Sequence, residues 1–168
     1  MTGTKPVIRI GPQEFTLSRM TEHDLLEVVE IEEQSGLSRW GWNAYHTELS
    51  EGLGALMFVA RLQGTEETNA AGQVGGFVAS RLNADELHIN NIAVRHVYRR
   101  CGLGGALLDA VLREGARQGA RKALLEVRLS NEAAQKLYTK YGFKVMARRP
   151  NYYTQPLEDA LLMSASLE

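Results

Sequence analysis

The segment Glu86–Val94, ELHINNIAV, changes the phase of its apolar residues partway along. In an extended strand alternate side chains point to opposite faces, so Leu87 and Ile89 share one face while Ile92 and Val94 fall on the other. A single register therefore cannot bury all four on one side. Two arrangements satisfy the pattern: a central strand covered by helices on both faces, or a β-bulge near Asn90 and Asn91 that resets the alternation. A bulge would also interrupt the ladder and leave main-chain groups free for a ligand.

The 168 residues fit one domain, 1–168, long enough to bury a core and too short to divide comfortably in two. No apolar run approaches the roughly 18 residues of a membrane span, so the expectation is a soluble chain with no membrane partner. The N-terminus, MTGTKPVIRI, lacks the basic start and long apolar stretch of a secretory signal. Cys101, the single cysteine, has no internal partner for a disulfide, and a reducing cytoplasm fits. The formal net charge of -1 argues against broad nucleic-acid binding, with ARRPNYY left as a local basic patch for an acidic partner.

FTLSRMTEHDLLEVVEIEEQSG reads as a short strand and a helix capped by Thr21, with Asp24 in its first turn, Leu25, Val28 and Val29 as its buried stripe and Gly36 as its stop. A second helix carries Trp42, Tyr45 and Leu49 on one face and ends near Gly52. ALMFVARL and GQVGGFVASRL form a hairpin across the polar tip QGTEETNAAG. After Val94, GALLDAVLREGARQG is a helix burying Leu107, Leu108, Val111 and Leu112, with Gly119 as its stop. KALLEVRL is a buried strand, SNEAAQKLYTKYG a helix capped by Ser130 or Asn131, and FKVMARR and DALLMSASL are the last strands. This order describes an α/β (α+β) fold, a mixed sheet flanked by helices.

RRCGLGGALLDAV places two arginines and three glycines directly before an amphipathic helix. Glycine inside a helix costs up to about 1 kcal/mol relative to alanine, so glycines at this start point to a use other than helix formation. A glycine-rich turn at a helix N-terminus directs several N–H groups one way, and the dipole adds positive potential, which suits a pyrophosphate. The alternative is a tight strand-to-helix turn without a ligand, against which Arg99 and Arg100 weigh. The full dinucleotide-binding pattern G-x-G-x-x-G is missing, and no Gly-Lys-Ser/Thr of a Walker loop is present.

Four segments in this order, NIAV, RRCGLGGALL, LLEVRLSNEAAQKLYTKYGF and RRPNYYTQPLEDALLM, resemble the GCN5-related N-acetyltransferases, and among them the RimI-type ribosomal-protein-alanine N-acetyltransferases. The resemblance runs from Trp40 to Met163 and is densest from His88 onward. It implies a mostly antiparallel central sheet with a bulged, splayed central strand and helices on both faces. It also implies acetyl-CoA as donor, no metal, and a protein N-terminal amine as acceptor.

By that resemblance Arg99, Arg100, Cys101, Gly102, Leu103, Gly104 and Gly105 hold the pyrophosphate, and the main chain of Ile92, Ala93 and Val94 pairs with the pantetheine arm. Asn131 matches a cofactor-contacting position, although an asparagine there is also a natural helix cap. Glu126 is a carboxylate inside an apolar strand; from the residues alone, an ion pair with Arg128 and a general base are equally open. The resemblance assigns the base. Tyr138 is by itself a core tyrosine on a helix, and by resemblance the donor to the leaving thiolate. SRWGWNAYHTEL resembles the family's acceptor segment, with Trp40 and Tyr45 in place and Arg39 and Gly41 departing from the usual proline and serine. Tyr152 and Tyr153 either wall a peptide groove or anchor the loop before the last strand.

The expected function is acetyl transfer from acetyl-CoA to a protein N-terminal α-amine, foremost the alanine of a small-subunit ribosomal protein, by direct attack in a ternary complex. No nucleophile is well placed, because Cys101 belongs to the phosphate turn. The alternatives are transfer to lysine or a small-molecule amine, and a non-catalytic acetyl-CoA-binding domain.

Overall fold

The computed structural model describes residues 5–36, 39–64 and 72–168. Its strands are β1 (Val7–Ile10), β2 (Gln13–Arg19), β3 (Ala55–Leu62), β4 (Val74–Asn83), β5 (Glu86–Val94), β6 (Lys122–Arg128), β7 (Lys144–Thr154) and β8 (Leu157–Ser166). They form one sheet in the order β1-β2-β3-β4-β5-β6-β8-β7, and only the β5–β6 pairing is parallel. Helices α1 (Leu25–Gln34) and α2 (Gly41–Glu51) cover one face, while α3 (Leu103–Arg117) and α4 (Glu132–Lys140) cover the other. This is the mixed, mostly antiparallel, two-sided fold that the sequence implies.

The phase change in β5 is resolved by a bulge. Ala79 pairs with Asn91 and Ser80 with Ile89, so Asn90 is the extra residue. The insertion turns Ile92 and Val94 to the α3 side, where they pack with Leu87 and Ile89, and leaves Asn91 and Ala93 buried toward α1 and α2. Parallel pairing with β6 covers only Glu86–Ile89 against Lys122–Leu125. Beyond that point β5 follows β4, β6 follows β8, and the two diverge.

Helix α3 buries Leu103, Leu107, Leu108, Val111 and Leu112, each worth about 1.5–3 kcal/mol when fully removed from water. Its close seat on β5 depends on Gly115, where an added Cβ would lie 2.8 Å from Leu87 Cδ2. Helix α1 follows a 3-10 turn, Glu22–Asp24, in which Thr21 and Asp24 form a capping box.

Several local expectations are corrected. The buried stripe of α1 is Leu25, Val28, Ile31 and Glu32, and Val29 is only half-buried, because the entering 3-10 turn rotates the helix relative to a continuous pattern. Trp42 is exposed and stacks on His46 at 4.6 Å; Trp40 packs against the core in its place, 5.2 Å from Tyr45. The RRPNYY stretch is not a loop. It continues β7 to Thr154, with register shifts that accommodate Pro150 on an edge strand. The β3–β4 hairpin closes through Gly72 N–H to Leu62 C=O at 2.8 Å, and residues 65–71 of its tip lie outside the described residues.

Candidate active site

The divergence of β5 and β6 opens a cavity of about 230 Å³. Its walls bring together Trp40, Ile92, Glu126, Asn131, Tyr138, Tyr152 and Tyr153, residues from α2's leading edge, both splayed strands, α4 and β7. Tyr45 does not line it. That side chain is fully buried behind the wall, where its hydroxyl accepts a hydrogen bond from Asn91 Nδ2 at 2.8 Å.

Glu126 projects from β6 and is part-exposed. Its expected ion-pair partner, Arg128, turns elsewhere: Arg128 donates to the carbonyls of Gln155 and Pro156, reaches Glu158 at 3.4 Å and stacks on Tyr153 at 4.2 Å. The nearest cation to Glu126 is Arg149, with Nη2 3.7 Å from Oε1. Arg149 is half-exposed, so this pair is loose and solvent-screened. Arg148 is bound to Asp159 at 2.6 Å, which neutralises one of the two arginines of the basic patch read from ARRPNYY.

Tyr138 faces Glu126's strand from α4 and is almost fully buried. Burial pushes its hydroxyl up, and the neighbouring Tyr153 adds to the shift. The Tyr153 hydroxyl is itself pushed up to about 12, mainly by burial and then by Tyr152, whose ring meets it edge-on at 5.1 Å. Asn131 caps α4 by accepting from Ala134 N–H at 3.1 Å, and the residue also lines the cavity.

The glycine-rich turn lies at the start of α3. Arg100 and Gly102 adopt φ of 61° and 87°, a left-handed pair around Cys101. The first bond of the helix joins Ala106 N–H to Gly102 C=O, so the N–H groups of Leu103, Gly104 and Gly105 have no helix acceptor. A Cβ at Gly102 would meet nothing within 4 Å; at Gly105 it would lie 3.0 Å from the Tyr141 hydroxyl oxygen. Gly102 thus serves the backbone conformation and Gly105 the approach of α3 to α4. Leu103 is a core side chain, and Cys101 is exposed with Sγ 3.3 Å from Arg99 C=O. Arg100 is exposed, whereas Arg99 folds back, donating to Val94 C=O at 2.9 Å and Ser35 Oγ at 3.1 Å.

Along β5 the peptide groups alternate in direction. Asn91 and Ala93 are turned toward β4, as is Arg95, whose N–H donates to Gly75 C=O at 2.7 Å. Ile92 and Val94 are turned toward the gap. Of the three residues expected to offer main chain to a ligand, Ala93 is therefore already paired with β4.

Sequence comparison agrees with this geometry. The family model described as Acetyltransferase (GNAT) family matches residues 22–143. This chain is a GNAT-family acetyltransferase. A Bacillus subtilis relative is 36% identical over 144 residues, covering 86% of this acetyltransferase and 90% of its own length. The [ribosomal protein bS18]-alanine N-acetyltransferase of Escherichia coli K12 is 32% identical over 151 residues, covering 89% and 95%. The crystal structure of the ribosomal-protein-S18-alanine N-acetyltransferase from Escherichia coli superposes with a TM-score of 0.78 at 32% identity, covering 92% of this chain and 94% of that one. The acetyltransferase uses acetyl-CoA as its acetyl donor.

The residues present fit that donor. The open N–H groups at α3 and the left-handed turn before them suit a pyrophosphate, and the outward peptide groups of Ile92 and the outward N–H of Val94, whose C=O Arg99 already holds, suit an extended amide-bearing arm entering the gap. Three contributors escaped sequence reading. Asn91 comes to the cavity through a bulge, and Arg149 comes to Glu126 through a distant strand pairing. Glu32 carried a signal, an acid at the i+7 apolar position counted from Leu25.

Proposed function

We propose that this acetyltransferase, acting as one domain, transfers the acetyl group to the α-amine of a protein N-terminus, with alanine of a small-subunit ribosomal protein as its foremost acceptor and the cytoplasm as its place of action. The observation that carries the reading is the meeting of Glu126 and Tyr138 in one cavity whose other walls include the side chains of Trp40, Tyr152 and Tyr153. The names of the Escherichia coli relatives support the alanine acceptor.

Acetyl-CoA supplies a thioester carbonyl activated for attack by an amine. The turn of Arg100 to Gly105 binds the pyrophosphate through backbone N–H groups, and Ile92 and Val94 orient the pantetheine arm in the gap. Asn131 adds a contact through its free amide nitrogen. Glu126 takes the proton that the α-amine loses as the new C–N bond forms, directly or through one water. Tyr138 donates a hydrogen bond to the sulfur as the C–S bond breaks. Free tyrosine near 10 and an alkyl thiol near 8.5 already make full transfer uphill by about 2 kcal/mol, and the upward shift of Tyr138 widens that gap. Its role is accordingly to stabilise the thiolate as a donor, without surrendering its proton.

Incubation with acetyl-CoA and an Ala-started peptide, followed by mass spectrometry, should place the acetyl group on the α-amine. Preference for a lysine peptide blocked at its N-terminus would overturn the reading, and binding of acetyl-CoA without turnover on any amine would leave only a binding domain.

A further inference from the structure

One buried carboxylate has no part in the chemistry above. Glu32, in the last turn of α1, is 1% exposed, although a carboxylate is almost never fully buried without a compensating partner. None of the ion pairs among the described residues involves it. Its Oε1 instead accepts the N–H of Trp40, the residue that leads into α2, and Oε2 has no hydrogen-bond partner among the described residues. The Tyr45 hydroxyl lies beside it: burial pushes that phenol up, and the charge of Glu32 pushes it further. The same hydroxyl accepts from Asn91, which is itself buried and follows the extra residue of the β5 bulge.

Glu32 thus ties the end of α1 to the start of α2 by a hydrogen bond, and the Tyr45 hydroxyl beside it ties α2 to the bulge of β5. Trp40, which it holds directly, and Asn91, which is bound to Tyr45, both line the active-site cavity. Anchorage of α1 does not require a carboxylate, because Leu25, Val28 and Ile31 already bury that helix and a leucine at position 32 would extend the apolar stripe at no desolvation cost. The polar group makes sense through what it holds.

We propose that Glu32 is a positioning residue of the acceptor site: through the Trp40 N–H and the Tyr45–Asn91 pair it holds the Trp40 wall and the Asn90–Asn91 bulge at the spacing that admits the acceptor amine. The proposal rests on the assignment of this cavity to an N-terminal amine. A purely structural role, capping α2, predicts a loss of stability that leaves substrate binding untouched in the folded protein.

The test compares wild type with Glu32→Leu, Glu32→Gln and Tyr45→Phe, measuring the peptide KM and kcat at saturating acetyl-CoA and the acetyl-CoA Kd by calorimetry. Loss of a buried hydrogen bond should raise the peptide KM of Glu32→Leu by about tenfold, while Glu32→Gln, which can keep the Trp40 bond, stays within about threefold of wild type. Tyr45→Phe, which keeps that bond and breaks the link to Asn91, should raise KM by about threefold or more. The acetyl-CoA Kd should rise by clearly less than the peptide KM in all three, since none of these side chains reaches the α3 turn that holds the pyrophosphate. In a Trp42→Phe background, acrylamide should quench Trp40 fluorescence more strongly in Glu32→Leu than in the parent. Unchanged peptide KM in folded Glu32→Leu, or an acetyl-CoA Kd that rises in step with it, overturns the proposal. If Glu32→Leu does not fold, an unchanged peptide KM in Tyr45→Phe overturns it. A wild type inactive on the Ala-started peptide refutes the acceptor assignment instead, and the quenching comparison, which needs no turnover, still shows whether Glu32 holds Trp40.

Discussion

Glu126→Gln and Tyr138→Phe should damage the enzyme with different pH signatures. An α-amine with pKa near 7.8 is neutral in about one seventh of molecules at pH 7 and in more than about nine tenths at pH 9. Glu126→Gln removes the proton acceptor while keeping the shape of the side chain. Its Arg149 neighbour is half-exposed at 3.7 Å, so the loss leaves no buried cation stranded. If kcat/KM for an Ala-started peptide falls by about 100-fold at pH 7, the roughly sevenfold gain in neutral amine should shrink the deficit to about 15-fold at pH 9. Tyr138 behaves differently because burial holds its hydroxyl protonated across the whole assay range. Removing a donor to a developing thiolate, worth about 1.5–3 kcal/mol, should cost about 10- to 100-fold at every pH from about 6.5 to 9. Thiol release read at several pH values with both variants supplies the comparison. A flat deficit for Glu126→Gln, or one for Tyr138→Phe that closes as pH rises, would refute the assigned roles, as would full activity in both.

Gly102→Val should weaken acetyl-CoA binding by about tenfold or more in calorimetry while costing the fold only about 1–2 kcal/mol, because φ of 87° is strained for valine but no atom lies within 4 Å of the new Cβ. Glu114, held at about 2 chiefly by its hydrogen bond to Arg117, contributes stability that is present above the ordinary glutamate value and lost as pH falls through about 2. The shift caps that contribution at about 3 kcal/mol, and exposure of its arginine partners reduces it to about 1 kcal/mol, so Glu114→Gln should lower urea stability at pH 7 and match wild type near pH 2.

The order of strands and helices was legible because most elements carry a clean local period. Leu107, Leu108, Val111 and Leu112 mark α3, and Gly119 stops it with φ of 103°. The bulge in β5 was visible as a conflict of phase, but choosing between a bulge and two covered faces required the register against β4, which no local pattern encodes. Val7–Ile10 was missed because a four-residue strand offers too few alternations to read. Within the site, Glu126 and Tyr138 could be named from motif, and their meeting could not. The substitution of Arg149 for Arg128 beside Glu126 arises from β7 lying beyond β8, a long-range arrangement to which spacing on β6 is blind. Trp40 and Trp42 stand two residues apart at a helix start, where a shift in the first helical residue exchanges inside for outside.

The short parallel pairing of β5 with β6 has a mechanical consequence. Strands β1 to β5 form one plate and β6 to β8 another, and within the sheet only the seam from Glu86 to Ile89 and from Lys122 to Leu125 stitches them together. A guest in the opening would lie where a missing strand would, with the outward peptide groups of Ile92 and the Val94 N–H along one rim and Glu126 on the other. Its arrival would lengthen the seam, and its departure would shorten it again. Each turnover would then fasten and unfasten the two plates along this one short seam.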